Sequence, residues 1–441
     1  MQITGTSAAE IFDSVRLLAQ SGQLQPGQSL PPVRDLATRL EVNRNTVAAA
    51  YKRLVAAGIA VTRGRLGTVI REPPRLGEQE GATPDTRLSD VASGNPNPDW
   101  LPDISEAVVR AGYRPRLYGE ATVNPSLANY ARQWFAGDVT ERHEFELAHG
   151  AVDAIERLLA AHLVTGDRVV VETPCFLGSL NVLRVAGLEP VGVPVDREGM
   201  RVDALEHALS AGAQAVILTP RAHNPTGCGL SAQRAQALRR VLERHPHVLI
   251  VVDDHFALLA DTLYHSVIPE SAQRWALVRS LSKALGPDLR IALIASDPQT
   301  AERLRLRLAP GSTWVSHLLQ DIAHACLTNE VVASQIALAR EDYTRRRHYL
   351  TTALAERGIA VATPADGLNL WIPLQQHSRP LAFAMAKRGW LVRGGEGFSV
   401  GEPVHGLRLT VSELEESQAG QLATDLRDSV HENGDDSPVG R

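Results

Sequence analysis

The chain has 441 residues, 44% of them apolar, 22% charged and 5% aromatic, with a formal net charge of −5. At roughly 100–200 residues per domain this predicts two to four domains, with cores large enough to need no disulfide or metal staple. No apolar run approaches the roughly 20 residues of a membrane span, and Glu10, Asp13 and Arg16 break up the first twenty residues as no secretory leader would.

Cys175, Cys228 and Cys326 are widely spaced and form no CxxC pair, which argues against a disulfide framework or zinc cluster and for a reducing cytoplasm. His265, His317, His324 and His405 show no metal-ligand spacing and read as structural, so no metal is expected. The charge is uneven. Residues 1–75 hold ten Lys and Arg against five Asp and Glu, a net of +5, which leaves −10 for the remainder. A basic head on an acidic body points to a nucleic-acid module joined to something else, although a solvated basic face gives the same count.

In chain order, Ala8 to Gln20 reads as an amphipathic helix packing through Ile11, Val15 and Leu18. Pro31 to Leu40 predicts a second helix opened by two prolines, with Val33, Leu36, Ala37 and Leu40 at helical spacing. After the break Glu41-Val42-Asn43, Arg44 to Ala57 resumes that spacing through Val47, Tyr51, Leu54 and Val55, with Asn43 as its N-cap. Two short helices across a tight break make a helix-turn-helix, and Asn43, Arg44, Asn45 and Thr46 would then meet base edges or phosphates. Other two-helix hairpins share this periodicity. Next come a strand from Ala60, the turn Arg63-Gly64-Arg65-Leu66-Gly67 and a returning strand, Thr68-Val69-Ile70. This hairpin has the form of a wing, with Arg63 and Arg65 placed for phosphate or minor groove.

The run from Ile11 to Ile70, including "SGQLQPGQSLPPVRDLA" and "VNRNTV", resembles a GntR-type winged helix-turn-helix from end to end. The resemblance implies binding to double-stranded operator DNA, with contacts from Arg34, Arg44, Thr46 and the wing around Gly67. Asn43 stands where the family usually has serine, a change next to the base-reading residues. Residues 1–71 are assigned to this domain. Residues 72–87, with three prolines, two glycines and several charges, read as an exposed, partly stiff linker.

From Leu88 onward, β-branched runs alternate with helical stretches. Arg168–Thr173, Gln214–Pro220, Val248–Asp254, Trp275–Ser280 and Arg290–Ser296 are the predicted strands, and Asp153–Leu163 and Ser231–Glu243 are helices between them. Most of the runs lack polar alternation, as strands buried on both faces of a parallel sheet do. This is an α/β body, with its chemistry expected at the strand C-termini. Polar residues gather there: Ser280 and Lys283 after one strand, Asp253 ending another, Asn224-Pro225-Thr226-Gly227 after a third, and His149-Gly150-Ala151-Val152 at a helix start. A desolvated lysine suits covalent chemistry with a carbonyl, and a strand-end aspartate suits a pyridinium nitrogen. Taken singly, they read equally well as a solvated lysine, an N-cap and a turn.

Residues 88–430 resemble a fold-type I, class I/II aminotransferase, the pyridoxal 5′-phosphate (PLP) family, most strongly in "HNPTG", "VVDD" and "SLSKALGPDLR". The resemblance implies that Lys283 carries PLP as its internal aldimine, that Asp253 pairs with the pyridinium nitrogen and that Asn224 bonds the phenolic oxygen. Ser280, Arg290 and the Ala151-Val152 backbone would hold the phosphate, and Phe176 would stack on the ring. Tyr118 would reach the phosphate of a neighbouring subunit, and Arg408 would bind an amino-acid carboxylate. Where many members place a tyrosine after the aspartate, this chain reads Asp253-Asp254-His255-Phe256; either His255 replaces that contact or it is missing.

A GntR head followed by an aminotransferase-like body is the architecture of the MocR subfamily of bacterial regulators. The runs "VNRNTVAAAYKRL", "TPRAHNPTGC", "DDHFALL" and "WVSHLLQD" look most like its vitamin B6-linked branch. That implies a cytoplasmic, homodimeric, PLP-responsive transcription regulator. Two alternatives remain at this point: a permanent PLP group sensing an amino acid through Arg408, and a working aminotransferase. Residues 431–441 read as a disordered tail.

Overall fold

The computed structural model describes residues 2–64, 67–72, 77–81, 86–112, 114–363 and 365–432. The chain divides into an N-terminal unit ending at residue 76 and a body that begins at Gly77.

The N-terminal unit is three helices and a hairpin: α1 (Ala8–Gln20), α2 (Val33–Leu40), α3 (Arg44–Ala56), β1 (Ala60–Thr62) and β2 (Thr68–Ile70). Ile11, Val15, Leu36, Val47 and Leu54 are completely buried in its core, each such side chain contributing about 1.5–3 kcal/mol of transfer free energy. Asn43 caps α3, its side-chain oxygen accepting from the Asn45 backbone N–H. On α3 the fourth buried position is Ala50 and not the expected Val55, which is exposed. Ala50 belongs to the same core cluster as Ile11, Val15 and Leu18 of α1. The hairpin gains a third extended segment that spacing did not reveal: Leu30 N–H donates to Thr68 O at 2.8 Å, and Ile70 N–H to Gln28 O at 2.8 Å. Arg65 and Leu66 of the expected wing lie outside the described residues.

The body is built on an eight-stranded sheet. Its strands are β4 (Glu144–Ala148), β5 (Arg168–Thr173), β6 (Glu189–Asp196), β7 (Gly199–Met200), β8 (Ala215–Leu218), β9 (Leu249–Asp254), β10 (Trp275–Ser280) and β11 (Ala292–Ser296), in the order β4-β11-β10-β9-β8-β5-β6-β7. The five strands from β6 to β10 in that order are parallel, while β11 runs antiparallel to both β10 and β4. The sheet is therefore mixed. β8, β9, β10 and β11 are buried along their whole length, which is why they read as unbroken apolar runs.

A smaller lobe follows. β12 (Asn369–Pro373), β14 (Arg393–Gly394) and β15 (Gly406–Thr410) form a three-stranded antiparallel sheet in the order β12-β15-β14. β3 (Ser89–Asp90) pairs in parallel with β13 (Trp390–Leu391), which fastens the start of the body to this lobe. The last helix runs Glu416–Glu432, so His431 and Glu432, expected in the disordered tail, are helical. The rest of that tail lies outside the described residues. Among the described residues no helix is long and apolar enough to cross a membrane.

Candidate functional site

The side-chain alternation of a strand puts Asp253 and Asp254, the last two residues of β9, on opposite faces of the sheet. Asp254 is fully buried and fully paired, with Arg221 bound bidentately at 2.7 and 2.8 Å and Arg279 Nε at 3.0 Å. Asp253 is 4% exposed, and among the described residues its Oδ1 has no hydrogen-bond partner. Burial, then the charges of Asp254 and Glu172, push its carboxyl up to about 7. An unpaired buried carboxylate is costly unless a cation meets it. A pyridinium N–H is such a group.

Two aromatic rings lie parallel. Phe176 and His255 are parallel to within 8°, with centroids 6.4 Å apart. Phe256, without a hydroxyl, is buried in the core. Burial and the nearby charge of Lys283 hold the His255 imidazole down to about 4, so it is neutral at physiological pH.

Asn224 lies in the loop after β8, and its Oδ1 accepts from Arg408 Nη1 at 2.9 Å. That bond fixes the amide so that its –NH2 is the side left to donate. Lys283 lies in the short helix Ser282–Leu285 just after β10. Its Nζ donates to the Gly94 carbonyl at 2.6 Å, and burial lowers its pKa. Ser280 ends β10, and its hydroxyl accepts from the Ser282 N–H at 3.2 Å.

An anion cradle stands nearby. Helix Ala151–His162 starts after Gly150, which has φ +93° and supplies no side-chain cap. The Ala151 and Val152 N–H groups therefore lie at an uncapped, positive helix end. Arg290, itself at φ 49°, donates from Nη2 to His149 O at 3.0 Å. A Cβ at position 150 would lie 3.0 Å from that guanidinium, so the cradle needs glycine there.

Tyr118 stands apart from these residues. It is 92% exposed, with its ring edge-on to Trp314 at 5.6 Å. Behind Asp253 lies a polar cluster that spacing did not single out. His223 is buried 3.3 Å from Glu172, and its Nδ1 shares a 2.7 Å hydrogen bond with the Thr226 hydroxyl. Burial disfavours the charged imidazole, yet Glu172 and Cys228 outweigh it and hold the His223 pKa up to about 10.

Sequence reasoning also missed Gly94, the acceptor for Lys283, and Glu80. The linker was expected to be exposed and partly stiff; within it, Gly77–Gly81 belongs to the body and bonds to its other residues. Gly77 N–H donates to Asn181 Oδ1 at 2.8 Å, and Glu80 Oε1 accepts from the completely buried Arg408 at 2.6 Å. Arg408 is thus already paired with a carboxylate.

In the N-terminal unit, Arg34, Asn43, Arg44 and Asn45 are exposed, and Thr46 is half-buried. Glu41 turns the chain between α2 and α3 in the left-handed region, φ 56°. On the hairpin, Arg63 is exposed, and its N–H donates to Gly67 O at 2.8 Å, which closes the wing's turn.

The two units define a DNA-binding regulator with an aminotransferase-like body. Residues 7–70 match the gntR family of bacterial regulatory proteins, and residues 88–426 match the class I and II aminotransferases. The chain belongs to the GntR regulators that carry a class I/II aminotransferase domain, the MocR-type architecture. It is 52% identical over 429 residues to the vitamin B6 salvage pathway transcriptional repressor PtsJ of Salmonella typhimurium, covering 97% of this chain and 100% of that one. An HTH-type regulator of Bacillus subtilis, YdfD, is 26% identical over 80% of this chain and 81% of its own. Among solved structures, the fold is similar to the kynurenine aminotransferase of Pyrococcus horikoshii, with TM-score 0.71 and 22% identity over 79% of this chain and 92% of that one. It is likewise similar to a multiple substrate aminotransferase of Thermococcus profundus, with TM-score 0.72 and 22% identity over 80% and 93%.

Proposed function

We propose that this protein is a homodimeric transcription regulator of genes for vitamin B6 supply, with PLP as its effector. The observation that carries the reading is the buried Asp253 carboxylate, whose Oδ1 has no hydrogen-bond partner among the described residues, in a chain that also holds the parallel Phe176–His255 rings and a winged helix-turn-helix. PLP supplies an aldehyde that bonds a lysine amine, a pyridine nitrogen that takes a carboxylate partner, and a phosphate. Lys283 would hold the aldehyde carbon, Asp253 the ring nitrogen and Asn224 the phenolic oxygen. Ser280, Arg290 and the Ala151-Val152 N–H groups would hold the phosphate. Tyr118, so fully exposed in one chain, suits a contact made with a second subunit, and helix-turn-helix proteins favour paired half-sites.

An effector shifts a conformational equilibrium only through differential affinity. The lysine, the aspartate and the cradle lie on the large lobe and Arg408 on the small one, so closure of the lobes is the candidate change. Vitamin B6 supply as the regulated pathway rests on the 52% identity to PtsJ over nearly the whole chain. The two other readings, an amino-acid sensor and a working aminotransferase, need Arg408 to receive a ligand carboxylate, and its pairing with Glu80 weighs against both.

The test is DNA binding to the region upstream of the protein's own gene and of vitamin B6 genes, titrated with and without PLP at fixed salt. A PLP-dependent shift in affinity or footprint supports the reading. DNA binding that ignores PLP would overturn it.

A further inference from the structure

Arg393 on β14 and Arg408 on β15 stand directly opposite each other in register, and both are buried. Like charges so placed destabilise a strand pair unless anions meet them. Both anions come from the first residues of the body. Glu78 Oε2 accepts from Arg393 Nη1 at 2.8 Å, and Glu80 Oε1 accepts from Arg408 Nη1 at 2.6 Å. The segment is held by its backbone as well: Asn181 Nδ2 donates to Glu78 O at 3.0 Å, and Gly81 N–H to Ser93 O at 3.0 Å.

Glu80 reaches into the site itself. A Cβ on Gly94 would fall 1.9 Å from its Oε1, and the carbonyl of that same glycine takes the Lys283 amine. The other carboxylate oxygen, Oε2, is buried with no hydrogen-bond partner among the described residues. Arg408 also binds Asn224. Lys283, Asn224, Arg408 and the Glu80 carboxylate therefore form one connected group.

We infer that Glu80 determines the specificity of this site: as a built-in carboxylate ligand of Arg408, it closes the subsite to amino acids and 2-oxo acids and leaves the pocket to a ligand with no carboxylate. This inference rests on the reading of the pocket as a PLP site. An incoming carboxylate must displace a partner on the same chain, anchored in place by the Gly81–Ser93 and Asn181–Glu78 bonds, whose effective concentration is about millimolar or higher. A free carboxylate of ordinary millimolar affinity is outcompeted. Removing the charge at position 80 opens the subsite.

The test uses the full-length protein without PLP and measures binding of succinate and L-alanine by calorimetry or ligand-observed NMR. Glu80→Gln is expected to bind at least tenfold more tightly than the wild type, and Glu80→Asp, with its shorter reach, by a smaller factor. Adding Arg408→Gln to Glu80→Gln should abolish the gain, which locates the ligand. Equal affinity in the wild type and in both Glu80 variants would overturn the inference, as would a gain that survives loss of Arg408. A separate absorbance titration with PLP tests the pocket reading. If PLP fails to bind, that reading falls, while the carboxylate comparison still decides the role of Glu80.

Discussion

Asp253 and Asp254 are chain neighbours on β9 with opposite surroundings: two arginines hold Asp254, and one oxygen of Asp253 is bonded to nothing described. The strand's period of two separates them, sending one side chain into the structural ion-pair network and the other to the opposite face of the sheet. A site that keeps a carboxylate uncompensated gives up stability for binding.

That cost has a pH signature. Burial raises the Asp253 carboxyl from its ordinary 3.8 to about 7. Between about pH 4 and pH 7 the folded protein holds a proton that the unfolded chain has released. Stability therefore falls as pH rises through this window, and the loss is complete above it. Asp253→Asn removes the titration. Without PLP, the variant should match the wild type near pH 4 and exceed it at pH 8 by about 1–3 kcal/mol. Urea denaturation at the two pH values measures this. The same change should weaken PLP binding at least tenfold, because a neutral amide replaces the charge partner. Equal stability at pH 8 would mean that Asp253 is compensated by a group the geometry does not show.

Lys283 is the proposed route to covalent attachment of the aldehyde. Burial lowers its pKa, which raises the neutral, nucleophilic fraction of the amine. Lys283→Ala should remove the absorbance change that accompanies attachment and raise the PLP concentration needed to alter DNA binding at least tenfold. DNA affinity without PLP should stay within about twofold, because the winged unit is untouched. A PLP response unchanged in this variant would sink the covalent reading.

Much of this was legible in sequence because buried parallel strands are unbroken apolar runs. Arg168–Thr173 and Trp275–Ser280 end where the spacing put them. Glu189–Asp196 escaped notice because Pro190, Gly192 and Pro194 interrupt its pattern and half of it is exposed. Glu144–Ala148 pairs with only one neighbour and carries Glu146 inward, where Arg305 meets it. The candidate cofactor residues were legible because their motifs at the strand ends match the aminotransferase family in its order. Glu80 was not. Its partner lies 328 positions away, and a polar, proline-rich stretch reads as solvated until the fold supplies a buried arginine.

Arg44 opens α3 and is exposed, in the place where a recognition helix meets base edges. Arg44→Ala should cost about 1–3 kcal/mol of operator affinity if the side chain reads a base, with relaxed preference at one position. If it meets only phosphate, the loss should be even across sequences and the salt dependence should drop by about one counterion. Asn43→Ala tests the cap of α3. Loss of the cap costs about 1 kcal/mol of stability in the winged unit, read as a lower melting temperature. Arg44→Ala should leave that temperature unchanged.

Gly150 tests the anion cradle without removing any charged group. Its φ of +93° is one that L side chains rarely adopt, and a methyl there would press on the Arg290 guanidinium at 3.0 Å. Gly150→Ala should therefore cost about 1 kcal/mol or more in stability and turn Arg290 away from the helix end. With Lys283 and Asp253 intact, a phosphorylated vitamer should lose at least tenfold in affinity. Pyridoxal, which has the ring and aldehyde but no phosphate, should lose much less. Titrating both ligands by absorbance against the wild type and the variant gives the comparison. Equal losses for the two would show that the Ala151–Val152 end of the helix shapes the proposed site rather than holding phosphate.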